Sequence, residues 1–167
     1  MDINIGSPIY LDNNATLPLN AGVLKKMLEV LGAVGNPSSI HSYGRRVRSY
    51  VESARLRLGE ILQVSPERLY FTSGGTEGNN TILKTFNNKP VFVAATEHNC
   101  VFHVCTHAKV IPVHSNGLLD LNALEDLISK DAAGGLVSVM LANNETGVIQ
   151  PIAEIADICH KHGLYLH

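Results

Sequence analysis

The chain has 167 residues, 45% of them hydrophobic and 17% charged, with a formal net charge of -2 at pH 7. This balance excludes a strongly basic surface, so the sequence predicts no nucleic-acid partner and no attraction to an anionic membrane. The apolar content suffices for one domain with a hydrophobic core, and no apolar run reaches the length of a membrane span.

The start of the chain and its cysteines indicate a cellular compartment. The first residues, MDINIGSPIY, lack the basic start and the apolar core of a secretory signal. Cys100, Cys105 and Cys159 form an odd and sparse set, which is typical of a reducing environment rather than of a disulfide framework. We therefore predict a cytoplasmic protein.

The first predicted elements are a long helix, a strand and a second helix. Segment 42–62 carries apolar residues at steps of three and four, which places them in one stripe of a helix. The run 69–73 (LYFTS) is short and apolar, which predicts a strand. Segment 76–86 predicts a helix that contains poor helix formers, two asparagines and a threonine. The stripe of the long helix consists of Val47, Val51, Ala54, Leu58 and Ile61.

The second half of the chain alternates strands and helices. Segment 121–129 predicts a helix with Asp120 as its N-cap, and segment 152–162 predicts another with Pro151 near its first turn. This alternation predicts an α/β fold, with a mainly parallel sheet flanked by helices. Short runs rich in Val, Ile and Leu, as in strands covered on both faces, lie at 91–95, 109–114, 136–142 and 164–167.

Polar groups follow three of the predicted strands, at the sheet edge where α/β proteins bind ligands. The sequences after these strands are GGTEGNN, TEHNC and NNETG. In the first of them, Gly74 and Gly75 let the backbone approach a ligand closely. Ser73 and Thr76 add hydroxyl donors before a helix N-terminus, which suits an anion. The sequence therefore predicts a small-ligand site with a phosphate cradle.

Six motifs, in order and at characteristic spacings, carry a family resemblance. From about Ile9 onward the chain resembles the N-terminal part of a NifS-type cysteine desulfurase, a pyridoxal-phosphate enzyme of the class V aminotransferase group. The resemblance implies the large domain of the aspartate-aminotransferase (fold type I) fold. Residues 1–15 would form an N-terminal arm and residues 16–167 the first part of that domain. The motifs are 10-YLDNNAT-16, 35-GNPSSIH-41, 71-FTSGGTEGNN-80, 96-TEHN-99, 116-NGLLDL-121 and 143-NNETGVIQPI-152.

The resemblance also implies an activity and site residues. The family converts L-cysteine to L-alanine and leaves a protein-bound persulfide for iron–sulfur cluster assembly, typically as a homodimer. The cofactor would be pyridoxal 5'-phosphate, with its phosphate held by the backbone at Gly75 and the side chain of Thr76. His98 would stack on the pyridine ring and assist proton transfer as the catalytic residue, and Asn144 would hydrogen-bond the ring hydroxyl oxygen.

The family pattern extends beyond the length of this chain. The aspartate that pairs with the ring nitrogen, the lysine that attaches the cofactor and the acceptor cysteine would all follow His167. The chain alone is therefore expected to be inactive, and a complementing chain with the second half could complete the site. No lysine follows a strand end in the way the family requires; the lysines are Lys25, Lys26, Lys84, Lys89, Lys109, Lys130 and Lys161.

Several alternatives stay open at the level of sequence. The chain could be a non-catalytic binding or regulatory protein that pairs with a full-length relative, or another class V enzyme. The Cys- and His-rich segment 98–114 could bind a metal through His103 and His107, which lie one turn apart on a helix. His98 could simply cap a helix, and Asn143 and Asn144 could simply form a turn.

Overall fold

The computed structural model describes residues 9–128 and 134–167 of the chain. These residues divide into two compact units, an N-terminal unit that ends at Phe71 and a sheet unit that begins at Thr72. The described part of the predicted N-terminal arm, residues 9–15, contains no helix or strand and is exposed. The domain boundary at residue 15 stays a prediction.

The N-terminal unit consists of two α-helices and a short 3-10 helix. Helix α1 spans Ala21–Leu31, helix α2 spans Ser42–Leu62 and the 3-10 helix spans Pro66–Arg68. Helix α2 confirms the prediction with the same bounds. Helix α1 was not predicted from the sequence, although Asn20 caps it by accepting a hydrogen bond from the Gly22 amide at 2.8 Å.

A close contact with helix α2 holds the loop 35–41. A Cβ added at Gly44 would lie 2.4 Å from the carbonyl oxygen of Ser39 and 2.7 Å from that of Asn36. Only glycine lets the loop backbone approach the helix this closely. Among the described residues of this unit, Gly44 and Gly59 are the buried ones.

The sheet unit contains a four-stranded, fully parallel sheet. The order of the strands across the sheet is β2-β1-β3-β4, and each of the three pairings is parallel. The prediction of a mainly parallel sheet is confirmed, although each strand is shorter than its apolar run. The strands are β1 (Val91–Ala94), β2 (Lys109–Ile111), β3 (Leu136–Ser138) and β4 (Tyr165–Leu166).

Alternate residues of a strand point to opposite sides of the sheet. Helices cover both of these faces. Phe92 and Ala94 belong to one buried cluster, together with apolar residues of α5 and α6. Val91 and Val93 belong to a second cluster, together with residues of α3 and α4. The helices are α3 (Gly75–Thr85), α4 (Asn99–Val104), α5 (Leu121–Ile128) and α6 (Ile152–Lys161).

Other predictions for the sheet unit are also confirmed. Asp120 caps α5, since its Oδ1 accepts a hydrogen bond from the Ala123 amide at 3.0 Å. Cys159 of α6 is fully buried in the core. Residue 129, at the end of the predicted helix 121–129, and Lys130 lie outside the described residues.

The predicted strand at 69–73 is wrong. Residues 69–72 have no regular secondary structure, and residue 73 lies in the bend before α3. The side chain of Arg55 donates a hydrogen bond to the Leu69 carbonyl, and its guanidinium lies 4.9 Å from the centre of the Phe71 ring. A strand requires a hydrogen-bonded neighbour, and among the described strands none pairs with this run.

Candidate cofactor site

The strand order brings two of the predicted polar segments together. Strand β1 pairs with β2 on one side and with β3 on the other, so the chain changes direction across the sheet at β1. Such a switch point leaves a crevice beyond the carboxyl ends of the two strands. The segment TEHN follows β1 and the segment NNETG follows β3, so both lie at this crevice.

A cavity of about 370 Å³ lies in the crevice, and both His98 and Asn144 line it. His98 comes from the turn after β1, and Asn144 comes from the loop after β3. Side chains that the sequence analysis did not assign to the site also line this cavity. The lining residues are Asn79, Glu97, His98, Val139, Met140, Asn144 and His167.

His98 is the N-cap of helix α4. Its Nδ1 accepts a hydrogen bond from the Cys100 amide at 3.1 Å. When the ring is neutral, this bond places its proton on Nε2. The alternative that His98 caps a helix is therefore confirmed. The capping hydrogen bond also fixes the orientation of its exposed imidazole at the cavity wall.

The loop after β3 is organised by Asn143. Its Oδ1 accepts hydrogen bonds from the amides of Glu145 and Thr146, at 3.0 and 2.8 Å. Its Nδ2 donates to the Thr96 carbonyl at 2.8 Å, which joins this loop to the turn after β1. Gly147 completes the turn with a φ of 72°. Asn143 thus has the role in a turn that the sequence left open for both asparagines, whereas Asn144 lines the cavity.

Glu97 is the main site residue that the sequence analysis missed. Its Oε1 accepts a hydrogen bond from the Met140 amide at 2.5 Å, and its Oε2 lies 3.5 Å from Ser138 Oγ. Burial raises the pKa of this carboxyl, against the lowering effect of these hydrogen bonds and of the nearby His98. Its signal in the sequence was an acidic residue directly before the histidine, three residues after an apolar strand.

The predicted phosphate cradle lies at the start of helix α3. Gly75 and Thr76 are the first residues of this helix, and its N-cap residue Gly74 provides no side-chain hydrogen bond. A Cβ added at Gly74 or Gly75 would meet no atom within 4 Å, so the space before the first amides is open. Thr76 lines a cavity of about 420 Å³ at this helix. An open helix N-terminus with free amides fits a phosphate.

Ser73 differs from its expected role in the cradle. Both its amide and its hydroxyl donate hydrogen bonds to Glu77 Oε2, at 2.7 and 2.6 Å. These bonds hold the pKa of the Glu77 carboxyl below its usual range. A phosphate at the helix N-terminus would therefore compete with Glu77 for the donors of Ser73.

Residues of the Cys- and His-rich segment 98–114 divide between the core and the surface. Val101 and Cys105 are buried in the core beneath helix α4, while His103 and His107 are exposed. Within residues 9–128 and 134–167, no group of three or more His, Cys, Asp or Glu is placed to hold a metal ion. No described helix is long and apolar enough to cross a membrane.

Known proteins match this chain over almost its full length. It is 41% identical to the mitochondrial cysteine desulfurase of Candida maltosa, over 96% of this chain and 36% of the relative. It is 37% identical to the cysteine desulfurase IscS of Rickettsia felis, over 98% of this chain and 43% of the relative. The chain thus spans less than half the length of these relatives, as the sequence analysis expected.

The fold is similar to that of solved structures as well. The NifS-like protein from Rickettsia africae superimposes with a TM-score of 0.89 at 38% identity, covering 95% of this chain and 46% of that one. A second NifS-like protein gives a TM-score of 0.84 at 35% identity, covering 95% and 48%. The family model of the class-V aminotransferases matches residues 9–167. The chain therefore belongs to the class-V aminotransferase family.

Proposed function

We propose that this chain supplies the phosphate-binding and ring-binding part of a pyridoxal 5'-phosphate site in a cysteine desulfurase. The observation that carries the proposal is that His98 and Asn144, from the segments that follow two adjacent parallel strands, line one cavity at the switch point of the sheet. The similarity to proteins named cysteine desulfurase supports the choice of reaction.

The residues present fit the cofactor in kind. The open N-terminus of α3, with Gly75 and Thr76, would bind the phosphate. The imidazole of His98 offers a flat face to the pyridine ring, and its Nε2 can hold or release a proton because Nδ1 is engaged by the Cys100 amide. Asn144 would donate to the ring hydroxyl oxygen. When bound, the cofactor supplies an electron sink for bonds at the substrate's α-carbon.

The complete reaction needs groups from outside these residues. We expect the substrate to be L-cysteine and the products to be L-alanine and a protein-bound persulfide. No lysine is among the residues that line the cavity beside His98 and Asn144, within the part of the chain that the structure describes. The attaching amine, the partner of the ring nitrogen and the acceptor thiol are therefore assigned to a further polypeptide segment, in the same chain or in a second one.

Two readings of the protein's role follow from this assignment. In the first, a segment with the second half of the fold completes the desulfurase, and the product serves iron–sulfur cluster assembly. In the second, the chain pairs with a full-length relative as a regulatory protein without chemistry of its own. A homodimer, a cytoplasmic location and a different class V substrate stay predictions; several relatives are named as mitochondrial.

The test is a titration of the purified chain with pyridoxal 5'-phosphate, followed by the absorbance of the cofactor. Thr76→Val, His98→Ala and Asn144→Ala each remove one contact and should weaken binding about tenfold. Thr85→Val and Asn88→Ala are matched controls, because neither residue lines the two cavities. Wild-type affinity in all three site variants would contradict the proposal.

Borohydride reduction followed by mass spectrometry tests the assignment of the amine. The chain alone should bind the cofactor reversibly and acquire no stoichiometric label at any one lysine. Mixing it with a polypeptide that carries the second half of a relative should produce a label on that polypeptide's lysine, together with alanine formed from cysteine. A stoichiometric and saturable label on one lysine of this chain, beyond scattered labelling of exposed amines, would contradict the assignment.

A further inference from the structure

The carboxylate of Glu97 connects the ends of three neighbouring strands. It follows β1, accepts the Met140 amide after β3 at 2.5 Å, and lies 3.5 Å from the hydroxyl of Ser138 in β3. That hydroxyl is 3.0 Å from Nδ1 of His167, the residue after β4. Glu97 thus joins the ends of β1 and β3 directly, and the Ser138 hydroxyl extends the connection to the residue after β4.

This connection is costly as a purely structural device. Ser138 is 1% exposed, and burial opposes ionisation of Glu97 by raising its pKa. The oxygen of a neutral glutamine could accept the Met140 amide without the desolvation of a charge. Local features that cost stability concentrate at functional sites, and Glu97 lines the same cavity as His98 and Asn144.

The two ends of this connection are the two segments that supply the site. Glu97 directly precedes His98 in the turn after β1. Met140 begins the loop that carries Asn144 after β3. The Asn143 side chain adds a second tie between the same segments, through the Thr96 carbonyl. The Glu97 and Asn143 side chains therefore tie the turn to the loop at two separate points.

We propose that Glu97 is a positioning residue that fixes His98 relative to Asn144, so that both are preset for the pyridine ring of the cofactor. This inference rests on the proposed function. It predicts that Glu97 matters for binding the ring and not for binding the phosphate, because the hydrogen bonds of Ser73 and Glu77 at the start of α3 and those of Glu97 involve different residues.

The experiment compares two probes on the purified full chain. Pyridoxamine 5'-phosphate has no aldehyde, so its fluorescence titration needs no lysine, and inorganic phosphate as a competitor reports on the cradle alone. Glu97→Ala removes the connection, whereas Glu97→Gln keeps an acceptor for the Met140 amide. Glu154→Ala is the control, because Glu154 is an exposed residue of α6. Amide hydrogen exchange at Met140 reports whether the connection is formed.

Glu97→Ala should weaken pyridoxamine 5'-phosphate binding about tenfold and expose the Met140 amide to exchange, with the competition constant of phosphate unchanged. Glu97→Gln should bind within about threefold of wild type. The inference is overturned if Glu97→Ala binds the amine probe normally, if it loses both probes alike, or if Glu97→Gln fails as Glu97→Ala does. A wild-type chain that binds neither probe would instead contradict the proposed function itself.

Discussion

The N-terminal unit and the sheet unit contain amphipathic helices with different degrees of burial. Helix α2 has 21 residues, yet its buried residues are two glycines, and Ile61 on its apolar stripe is 75% exposed. Helix α5 has 8 residues and fully buries Leu124 and Ile128 against the sheet. Periodicity specifies a helix and its apolar face, but burial requires a second surface to receive that face.

The largest expected effect comes from a pair of side-chain truncations to alanine, one in each unit. Phe92→Ala in β1 removes a fully buried ring and should lower the free energy of unfolding by about 3–5 kcal/mol. Ile61→Ala in α2 should change it by less than about 0.5 kcal/mol, because that side chain is already largely in water. Denaturant unfolding measures both. Equal losses would show that the α2 stripe is buried in solution.

Glycine substitutions sharpen the comparison, because the N-terminal unit is tightly packed at Gly44. Gly44→Ala forces a methyl group against the Ser39 carbonyl and should cost about 1–3 kcal/mol in unfolding free energy. Gly75→Ala should cost nothing measurable, since its methyl group would meet no atom. Thermal unfolding of the two variants is the measurement, and a tolerated Gly44→Ala would contradict the close approach of the loop.

Removal of the helix caps should have a smaller effect that also differs between the units. Asp120→Ala removes the acceptor for the Ala123 amide in a buried helix and should cost about 1 kcal/mol. Asn20→Ala removes the same kind of bond from α1, which has no buried residue, and should cost about 0.5 kcal/mol. A greater loss of unfolding free energy for Asn20→Ala would reverse the ranking of the two helices.

The smallest expected effect concerns the pH dependence of stability at Glu97. Because burial raises its pKa above the unfolded value of 4.5, the folded chain holds this proton more tightly than the unfolded chain. That contribution is complete below pH 4.5 and is lost as pH rises through the raised pKa. Glu97→Gln should therefore gain stability relative to wild type between pH 4 and pH 7. Chemical denaturation at both values, with Glu154→Gln as the control, tests the sign.

The sheet unit was the more predictable part of the fold. Its central strands β1 and β3 are fully buried because helices cover both faces, and apolar runs in the sequence identified β1 to β4 before any pairing was known. The run 69–73 also begins with apolar residues but forms no strand: Arg55 engages the Leu69 carbonyl, and none of the described strands pairs with this run. Local composition cannot show whether a pairing partner exists. The strand lengths were overestimated for the same reason, because the length of a strand depends on the register of its pairing.

The residues of the candidate site could be predicted where a sequence motif directly follows a predicted strand. His98 and Asn144 were assigned before the structure, and the strand order brings them to one cavity. Glu97 was missed because its partners, Met140 and Ser138, are more than forty positions away in the chain. The engagement of Ser73 by Glu77 was missed because a capping carboxylate and a ligand compete for the same donors.

The three cysteines differ in burial, which leaves one thiol accessible to chemical labelling. Cys105 and Cys159 are buried, and burial raises the pKa of the Cys159 thiol to about 11, which disfavours the reactive thiolate. Cys100 is partly exposed and accepts a hydrogen bond from Asn79, one of the residues lining the His98 cavity. A thiol-directed fluorophore added at neutral pH would therefore label Cys100 selectively. The label would report occupancy of the neighbouring cavity without any engineered cysteine.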